Sequence, residues 1–402
     1  MLAVPALTTA LKITDRDPAS RARAGILRTA HGEIRTPHFV PLATKATVKG
    51  LLPAEVADLG YDIVLGNTFH LFIDPGHDLI GRFGGLHDFM GWKGPIITDS
   101  GGFQVFSMGY GTVADEIKGR APSGPDRAGK VISIEERGVR FRSYLDGAEK
   151  FMAPETSMEI QAALGSDLAL VFDECTPFHA DRDYTARSTE RTHRWLRRCL
   201  DWHAEHGPEG QLVYGIVQGG VHRDLRTESA ETIAASEVDG IAIGGSLGAD
   251  KAQMYEVVDW TTAVLPEDRP RHLLGIGEVD DLIRGVELGI DTFDCAMPTR
   301  LGRHGVALIP APDRRWRVDL TAARWRDSDE PLMEGCPCPA CAVGLPRGYL
   351  RYLARSRELT GMRLLTVHNL AFIARLMARL RDAIAHGTLS EEAAALRAGA
   401  AP

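Results

Sequence analysis

The sequence contains no apolar run of about 18 residues, the length a membrane-spanning helix needs, so no transmembrane segment is expected. Its N-terminus, Met1-Leu-Ala-Val-Pro-Ala-Leu-Thr-Thr-Ala-Leu-Lys12, lacks a basic stretch ahead of its apolar residues, which argues against a secretory signal. Cysteine is scarce, six in 402 residues, and half of it sits in one turn rather than being spread for bridging. That usage fits the reducing cytoplasm. Positive charge is in deficit, with a net charge of −8, and taken alone this points away from a polyanionic partner. Net charge averages the whole surface, however, and one basic face suffices to hold a nucleic acid. Two helical stretches offer such a face: Arg187, Arg191, Arg194, Arg197 and Arg198, and then Arg347, Arg351, Arg355 and Arg357. Either also reads as an ordinary solvated helix face. No Gly-x-Gly-x-x-Gly opens a helix after the first strand, which weakens a dinucleotide-binding reading, and no internal repeat goes beyond strand–helix alternation.

What is present is first of all the cysteine turn, Cys336-Pro-Cys338-Pro-Ala-Cys341, followed by His368. Three soft thiolates and one imidazole complete a tetrahedral Zn2+ shell. The tight turn aims three sulfurs at one point, and a helix over Arg347–Ala354 can bring His368 back to it. Such a shell leaves no vacancy for water, so the expected zinc is structural, one per chain. Cys175, Cys199 and Cys295 are then expected to be unbridged thiols outside this set.

Short apolar, β-branched runs recur at His38–Leu42, Asp62–Gly66, Pro95–Thr98, Leu168–Phe172, Val213–Val217, Gly240–Gly244, His272–Ile276 and Asp291–Phe293. Runs without polar alternation suit strands buried on both faces of a parallel sheet. Helical patterns lie between them, as at Glu155–Leu164 and Asp280–Leu288. Eight strand–helix units in series predict an α/β fold, a (β/α)8 TIM barrel; a doubly wound open sheet is the competing arrangement. The expected organisation is an N-terminal extension over 1–20 and a barrel over 21–330. A zinc-binding insertion over 331–370 and a C-terminal helix and tail over 371–402 complete it. The polar, Pro/Gly-rich stretch 109–130 reads as a mobile loop after the third barrel strand.

Active sites of such barrels lie at the C-terminal strand ends. There the sequence places Asp99-Ser-Gly-Gly-Phe-Gln104, Asp173-Glu-Cys175, Gln218-Gly-Gly220, Gly244-Gly245, Gly277 and Asp294-Cys295. A single Asp after a strand is commonly a helix cap. Three carboxylates converging on one mouth repel each other, and chemistry is the better reason to hold them there. A carboxylate pair can break a glycosidic bond, one attacking the anomeric carbon and the other handling a proton. Gly-Gly segments let a flat ring approach the backbone, Phe103 offers a stacking face, and Gln218 with Asp173 can read a base edge. These residues describe glycosyl transfer around a planar heterocycle; a sugar hydrolase and an aldolase-type barrel remain open.

The segments Asp99-Ser-Gly-Gly-Phe-Gln-Val-Phe-Ser107, Phe172-Asp-Glu-Cys-Thr-Pro177, Gly215-Ile-Val-Gln-Gly219, Ile243-Gly-Gly245 and Gly289-Ile-Asp-Thr-Phe-Asp-Cys-Ala-Met-Pro-Thr-Arg300, with the three-cysteine turn and His368-Asn369, together resemble the bacterial tRNA-guanine transglycosylases (queuine tRNA-ribosyltransferases). The likeness runs in order from about Arg23 to about Leu389. It implies replacement of the wobble guanine, position 34, of tRNAs with GUN anticodons (Asp, Asn, His, Tyr) by preQ1, 7-aminomethyl-7-deazaguanine, through a covalent enzyme–tRNA intermediate. The resemblance makes Asp294 the nucleophile and Asp99 the general acid/base. It assigns base binding to Asp99, Ser100, Gly101, Gly102, Phe103, Asp173, Gln218 and the Gly245 backbone, with Leu274 where the family often carries a methionine. It assigns contact with the anticodon loop to Gly275, Ile276, Gly277, Glu278, Val279, Asp280 and Asp281 and to Thr299, Arg300, Leu301, Gly302 and Arg303. It further implies a cytoplasmic homodimer with one tRNA across both subunits.

Two departures stand out. Gly245-Ser-Leu-Gly-Ala-Asp250 differs from the commoner bacterial Gly-Leu-Ala-Val-Gly-Glu and is one residue shorter, at a loop bordering the site of the 7-substituent. The 109–130 stretch is longer than usual. Cys175 keeps the bacterial form, which favours preQ1 over preformed queuine. A non-catalytic tRNA-binding subunit would lack the Asp99 and Asp294 pair, and an archaeosine-type relative would carry further RNA-binding domains after Pro402. A catalytic zinc hydrolase fails on the closed ligand set.

Overall fold

The computed structural model describes residues 10–110 and 131–402. The chain opens with an antiparallel sheet of β1 (Leu11–Arg16), β2 (Arg23–Thr29) and β3 (Gly32–Thr36). The barrel begins with β4 (His38–Val40), β5 (Val64–Gly66) and β6 (Ile96–Thr98). A second antiparallel sheet, β7 (Val131–Glu135), β8 (Gly138–Arg142) and β9 (Glu149–Met152), interrupts it. It resumes with β10 (Leu168–Leu170), β11 (Leu212–Val217), β12 (Gly240–Ile243), β13 (Arg271–Leu273) and β14 (Thr292–Asp294), and the hairpin β15 (Val306–Leu308) and β16 (Arg317–Asp319) follows.

The eight barrel strands lie in the order β4-β14-β13-β12-β11-β10-β6-β5, and all their pairings are parallel. A parallel bridge between Leu42 and Leu65 joins the two ends of that order, with Ala43 N donating to Leu65 O at 2.7 Å. The sheet therefore closes on itself as a (β/α)8 barrel, and the open-sheet alternative falls. Each of the eight sequence runs overlaps one barrel strand. The strands are short and buried throughout, as parallel strands covered on both faces must be.

The helices take their limits from local chemistry. Pro154 opens the helix Pro154–Leu164, and Gly165 closes it in a left-handed turn. Asp181 caps Arg182–His206 and Asp250 caps Lys251–Val264, each carboxylate accepting a backbone N–H at the first turn. One apolar core runs from Leu11 to Leu396 and takes in Phe39, Ile97, Phe172, Ile216 and Phe293 as well as Cys336 and Cys338.

Asp167, just ahead of β10, holds the lower end of the barrel together. Its two oxygens accept the backbone N–H groups of His31 and Ile96, and both the His31 and His87 rings lean on it. Residues 11–16 of the expected N-terminal extension are thus part of a sheet fastened to the barrel floor. Three further findings differ from the sequence reading. Gly109 and Tyr110 belong to the helix Gly102–Tyr110, while 111–130, the rest of the expected mobile loop, lies outside the described residues. The β7–β9 sheet had no expectation attached to it. The helix Leu359–His386 passes residue 370 unbroken, so the boundary drawn there cuts a single helix. That helix is apolar on the side it turns to the barrel, and Tyr61 Oη donates to its Leu370 O at 2.8 Å.

Candidate active site

Three carboxylates emerge from the C-terminal ends of β6, β10 and β14. Asp99 follows β6 directly. Its Oδ1 accepts the backbone N–H of Thr68 at 2.8 Å, and its Oδ2 accepts Asn67 Nδ2 at 2.5 Å and Gln104 Nε2 at 2.7 Å. Burial pushes the Asp99 carboxyl up to about 6 against these three hydrogen bonds, and the charge of Asp294 adds to the rise.

Asp173 lies three residues past β10 and is almost fully buried. Ser100 Oγ donates to its Oδ1 at 2.8 Å, and Gln218 Nε2 donates to its Oδ2 at 2.6 Å. Burial likewise raises this carboxyl to about 6, with Ser100 and Gln218 opposing and Glu174 assisting. Gln218 spends its amide N–H on Asp173, and its Oε1 is buried with no hydrogen-bond partner among the described residues. An unpaired buried acceptor costs about 1–3 kcal/mol. A ligand that brings an N–H removes that cost.

The glycines shape the same pocket. A Cβ at Gly245, where φ is 77°, would lie 2.3 Å from Gln218 Oε1. At Gly244 it would meet Gln218 Nε2 at 3.2 Å and Leu274 at 3.3 Å; at Gly102 it would meet Asp173 O at 2.5 Å. The structure thereby brings Gly102, Asp173, Gln218, Gly244, Gly245 and Leu274 together as the sequence placed them. Ser100 donates to Asp173, Gly101 packs on Phe69 and Met152, and Phe103 keeps part of its surface open on the first turn of its helix.

Asp294 ends β14. Its Oδ1 accepts the backbone N–H of Gly275 at 2.9 Å. The residues expected to meet an anticodon loop divide into two groups. Gly275, Ile276, Glu278, Asp280, Arg300, Leu301 and Arg303 keep accessible surface, whereas Gly277, Val279, Asp281, Thr299 and Gly302 are buried. Gly277 lies against Cys295, and Gly302 against the Leu365–Thr366 backbone, each closer than a Cβ would allow. Glu278 is held by Arg315 and Arg317, and Lys251 bridges Asp280 and Asp281.

Both basic stretches are engaged in part within the chain. Arg191, Arg194 and Arg198 pair with Glu174, Glu136 and Glu155, while Arg347 and Arg351 donate to the carbonyls of Pro331, Leu332 and Ala322.

Cys336, Cys338, Cys341 and His368 form a cluster that could hold a metal ion, their ligand atoms all within 4.8 Å of one another. His368 Nδ1 faces the three sulfurs at 3.7, 3.4 and 3.4 Å. Bonds of about 2.3 Å to sulfur and about 2.0 Å to nitrogen, set tetrahedrally, put S and N about 3.5 Å apart, so the donor set fits. The other ring nitrogen donates to Leu308 O at 2.8 Å, which leaves Nδ1 free to ligate.

The sequence reading missed several supports. Asn67 and Thr68 lie on the β5 loop with nothing local to mark them as partners of Asp99. Arg226 is fully buried and donates to the carbonyls of Gly220, Val217 and Ser246, tying the β11 loop to the β12 loop behind the pocket. His272 opens the apolar run His272–Ile276; a polar ring inside a buried strand is the signal that marks it.

A family model described as queuine tRNA-ribosyltransferase matches residues 17–400. The chain belongs to that family. It is 52% identical over 390 residues to the queuine tRNA-ribosyltransferase of Roseiflexus sp. (strain RS-1), covering 95% of this chain and 97% of that protein. It is 46% identical over 378 residues to the protein of the same name from Pelotomaculum thermopropionicum, covering 94% and 95%. A third protein of that name, from Symbiobacterium thermophilum, is 46% identical over 377 residues, 94% of this chain and 88% of its own length. Family membership thus covers the barrel and the cysteine–histidine module alike. No helix among the described residues is long and apolar enough to cross a membrane.

Proposed function

We propose that this protein is a tRNA-guanine transglycosylase, a pentosyltransferase that exchanges guanine 34 of GUN-anticodon tRNAs for preQ1. The observation that carries the reading is the convergence of Asp99, Asp173 and Asp294 on one mouth, with Gln218 holding an unpaired acceptor between Asp173 and Gly245. A base entering there finds a carboxylate, an amide oxygen and a glycine backbone. The family's name points to the same chemistry.

In the first displacement a carboxylate oxygen of Asp294 attacks C1′ of ribose 34. The C1′–N9 bond breaks, its electron pair leaves with guanine, and guanine takes up a proton from solvent water. The product is a glycosyl ester on Asp294. In the second, the incoming base gives its N9 proton to Asp99 and its freed electron pair attacks C1′. The ester bond breaks and the carboxylate of Asp294 returns. Two displacements at one carbon retain its configuration. Asp99 suits the acceptor role because its raised pKa, about 6, lies near neutral pH while leaving most of it ionised there. Reaction on a base within RNA requires that base to be splayed out of the loop.

The Cys336, Cys338, Cys341 and His368 set holds one structural Zn2+ per subunit, a reading supported by the closed donor set and its spacing. A cytoplasmic homodimer fits the exposed apolar side chains of this module, Val343, Tyr349, Tyr352 and Leu359. The test is a base-exchange assay on unmodified tRNA(Asp) with guanine, preQ1 and queuine in parallel, together with Asp294→Ala. Exchange by wild type with preQ1 ahead of queuine is expected, and the variant should form no covalent tRNA adduct. Queuine ahead of preQ1 would reassign the base, and guanine exchange by Asp294→Ala would remove the nucleophile assignment.

A further inference from the structure

His272 lies in β13, where the register sets it beside Thr292 of β14. Its ring is completely buried. Nδ1 is 2.8 Å from Thr292 Oγ1, and Nε2 is 3.2 Å from Asp294 Oδ1. An ionised carboxylate only accepts, so Nε2 carries the proton and donates to Asp294, and the Thr292 hydroxyl donates to the bare Nδ1. Gly275 N–H reaches the same Oδ1 at 2.9 Å, from a glycine whose φ of 75° turns its amide toward the carboxylate. One oxygen of Asp294 therefore has two donors. Among the described residues Oδ2 has no hydrogen bond, and the side chain keeps 11% of its surface.

We propose that His272 is a positioning residue for the nucleophile. It fixes the rotation of the Asp294 carboxylate so that Oδ2 presents its lone pair to C1′, while Oδ1 stays tied to His272 and Gly275. When Oδ2 bonds to C1′ and guanine leaves with its electron pair, Oδ1 becomes the ester carbonyl and still accepts both N–H groups. When the incoming base displaces the ester, the pair from the C1′–Oδ2 bond returns to the carboxylate. The two donors stabilise that charge and make Asp294 a better leaving group. A ring that served packing alone would need no hydrogen bond to the nucleophile, and phenylalanine would fill the space as well.

This inference rests on the proposed role of Asp294, and its test separates the two. Single-turnover formation of the covalent tRNA adduct is followed in wild type, His272→Phe, His272→Gln and Thr292→Val, with tRNA affinity and thermal unfolding measured for each. His272→Phe should slow adduct formation by about tenfold or more, as a misplaced nucleophile does, with tRNA affinity unchanged. His272→Gln, which keeps an N–H donor, should recover part of the rate. Thr292→Val, which keeps the ring but frees it to turn, should fall between wild type and His272→Phe, and it serves if His272→Phe does not fold. A wild-type rate in His272→Phe or Thr292→Val, or a glutamine variant as slow as the phenylalanine one, would overturn the proposal. Absence of adduct in the wild type itself would instead remove the nucleophile reading.

Discussion

Asn369 holds Leu308 by the backbone: its Oδ1 accepts the Leu308 N–H at 2.7 Å, beside the bond from His368 Nε2 to Leu308 O at 2.8 Å. The Asn369 amide also donates to Pro298 O and Val306 O, each at 3.0 Å. Two adjacent residues of one helix thus join the cysteine cluster to β15 and to the segment leaving Asp294. Asn369→Leu strands one backbone donor and two acceptors in the interior, at about 1–3 kcal/mol for each group left unsatisfied. The expected result in urea unfolding is a lower midpoint with metal content retained, together with slower adduct formation. An unchanged midpoint would show that the strut carries no weight.

Removing the metal should act on stability before chemistry. Cys338→Ala takes one ligand from the proposed closed set, and a structural zinc site contributes its binding energy to folding. Metal content by atomic emission and the thermal midpoint should fall together, and a strong chelator should lower the wild-type midpoint in the same direction. A soluble, metal-free Cys338→Ala protein with wild-type exchange activity would contradict a structural site.

The pH dependence follows from Asp99. In the proposed mechanism it must be ionised to accept the proton of the incoming base, and burial raises its pKa to about 6. Exchange should therefore decline as pH falls through about 6. Asn67→Ala removes a donor that favours the charged form, so the limb should move to higher pH in a profile of kcat/KM. Stability has the opposite sense. Folding raises the carboxyl from its ordinary 3.8, so the folded state holds the extra proton between about 4 and 6 and this group's contribution weakens as pH rises through that window.

Gly245 tests the base pocket. A methyl there would come 2.3 Å from Gln218 Oε1 on a backbone that L residues rarely adopt. Gly245→Ala should raise the KM for the base by about tenfold, about 1.4 kcal/mol, with little change in the KM for tRNA.

Arg226→Met should act on the same parameter without touching the base. It unties the β11 loop from the β12 loop by removing the bonds to Val217, Gly220 and Ser246. Steady-state kinetics at saturating tRNA should show a higher KM for the base, and an unchanged value would leave Arg226 with a purely structural part.

How far the sequence was legible depended on the range of the interaction concerned. All eight barrel strands could be found because doubly covered strands need unbroken apolar runs, and periodicity is local. The β7–β9 sheet was hidden because its strands are short and mixed in polarity, and only their pairing makes them strands. The long C-terminal helix was divided at 370 because its apolar face is nearly continuous and offers no break to place. Asp99, Asp173, Gln218 and Asp294 could be singled out because each follows an apolar run directly.

The sequence alone therefore determined the alternation that makes a barrel, the four members of the cysteine–histidine cluster and the family, since each rests on residue types at short or ordered spacings. Only the tertiary structure decided which side chain meets which. It joined Leu42 to Leu65 and closed the sheet. It turned Gln218 onto Asp173, buried several of the expected RNA-facing residues, and stood His272 behind Asp294. Those pairings link residues from 22 to 45 positions apart across neighbouring strands. A hydrogen bond is set by angles and tenths of an ångström that no spacing along the chain records.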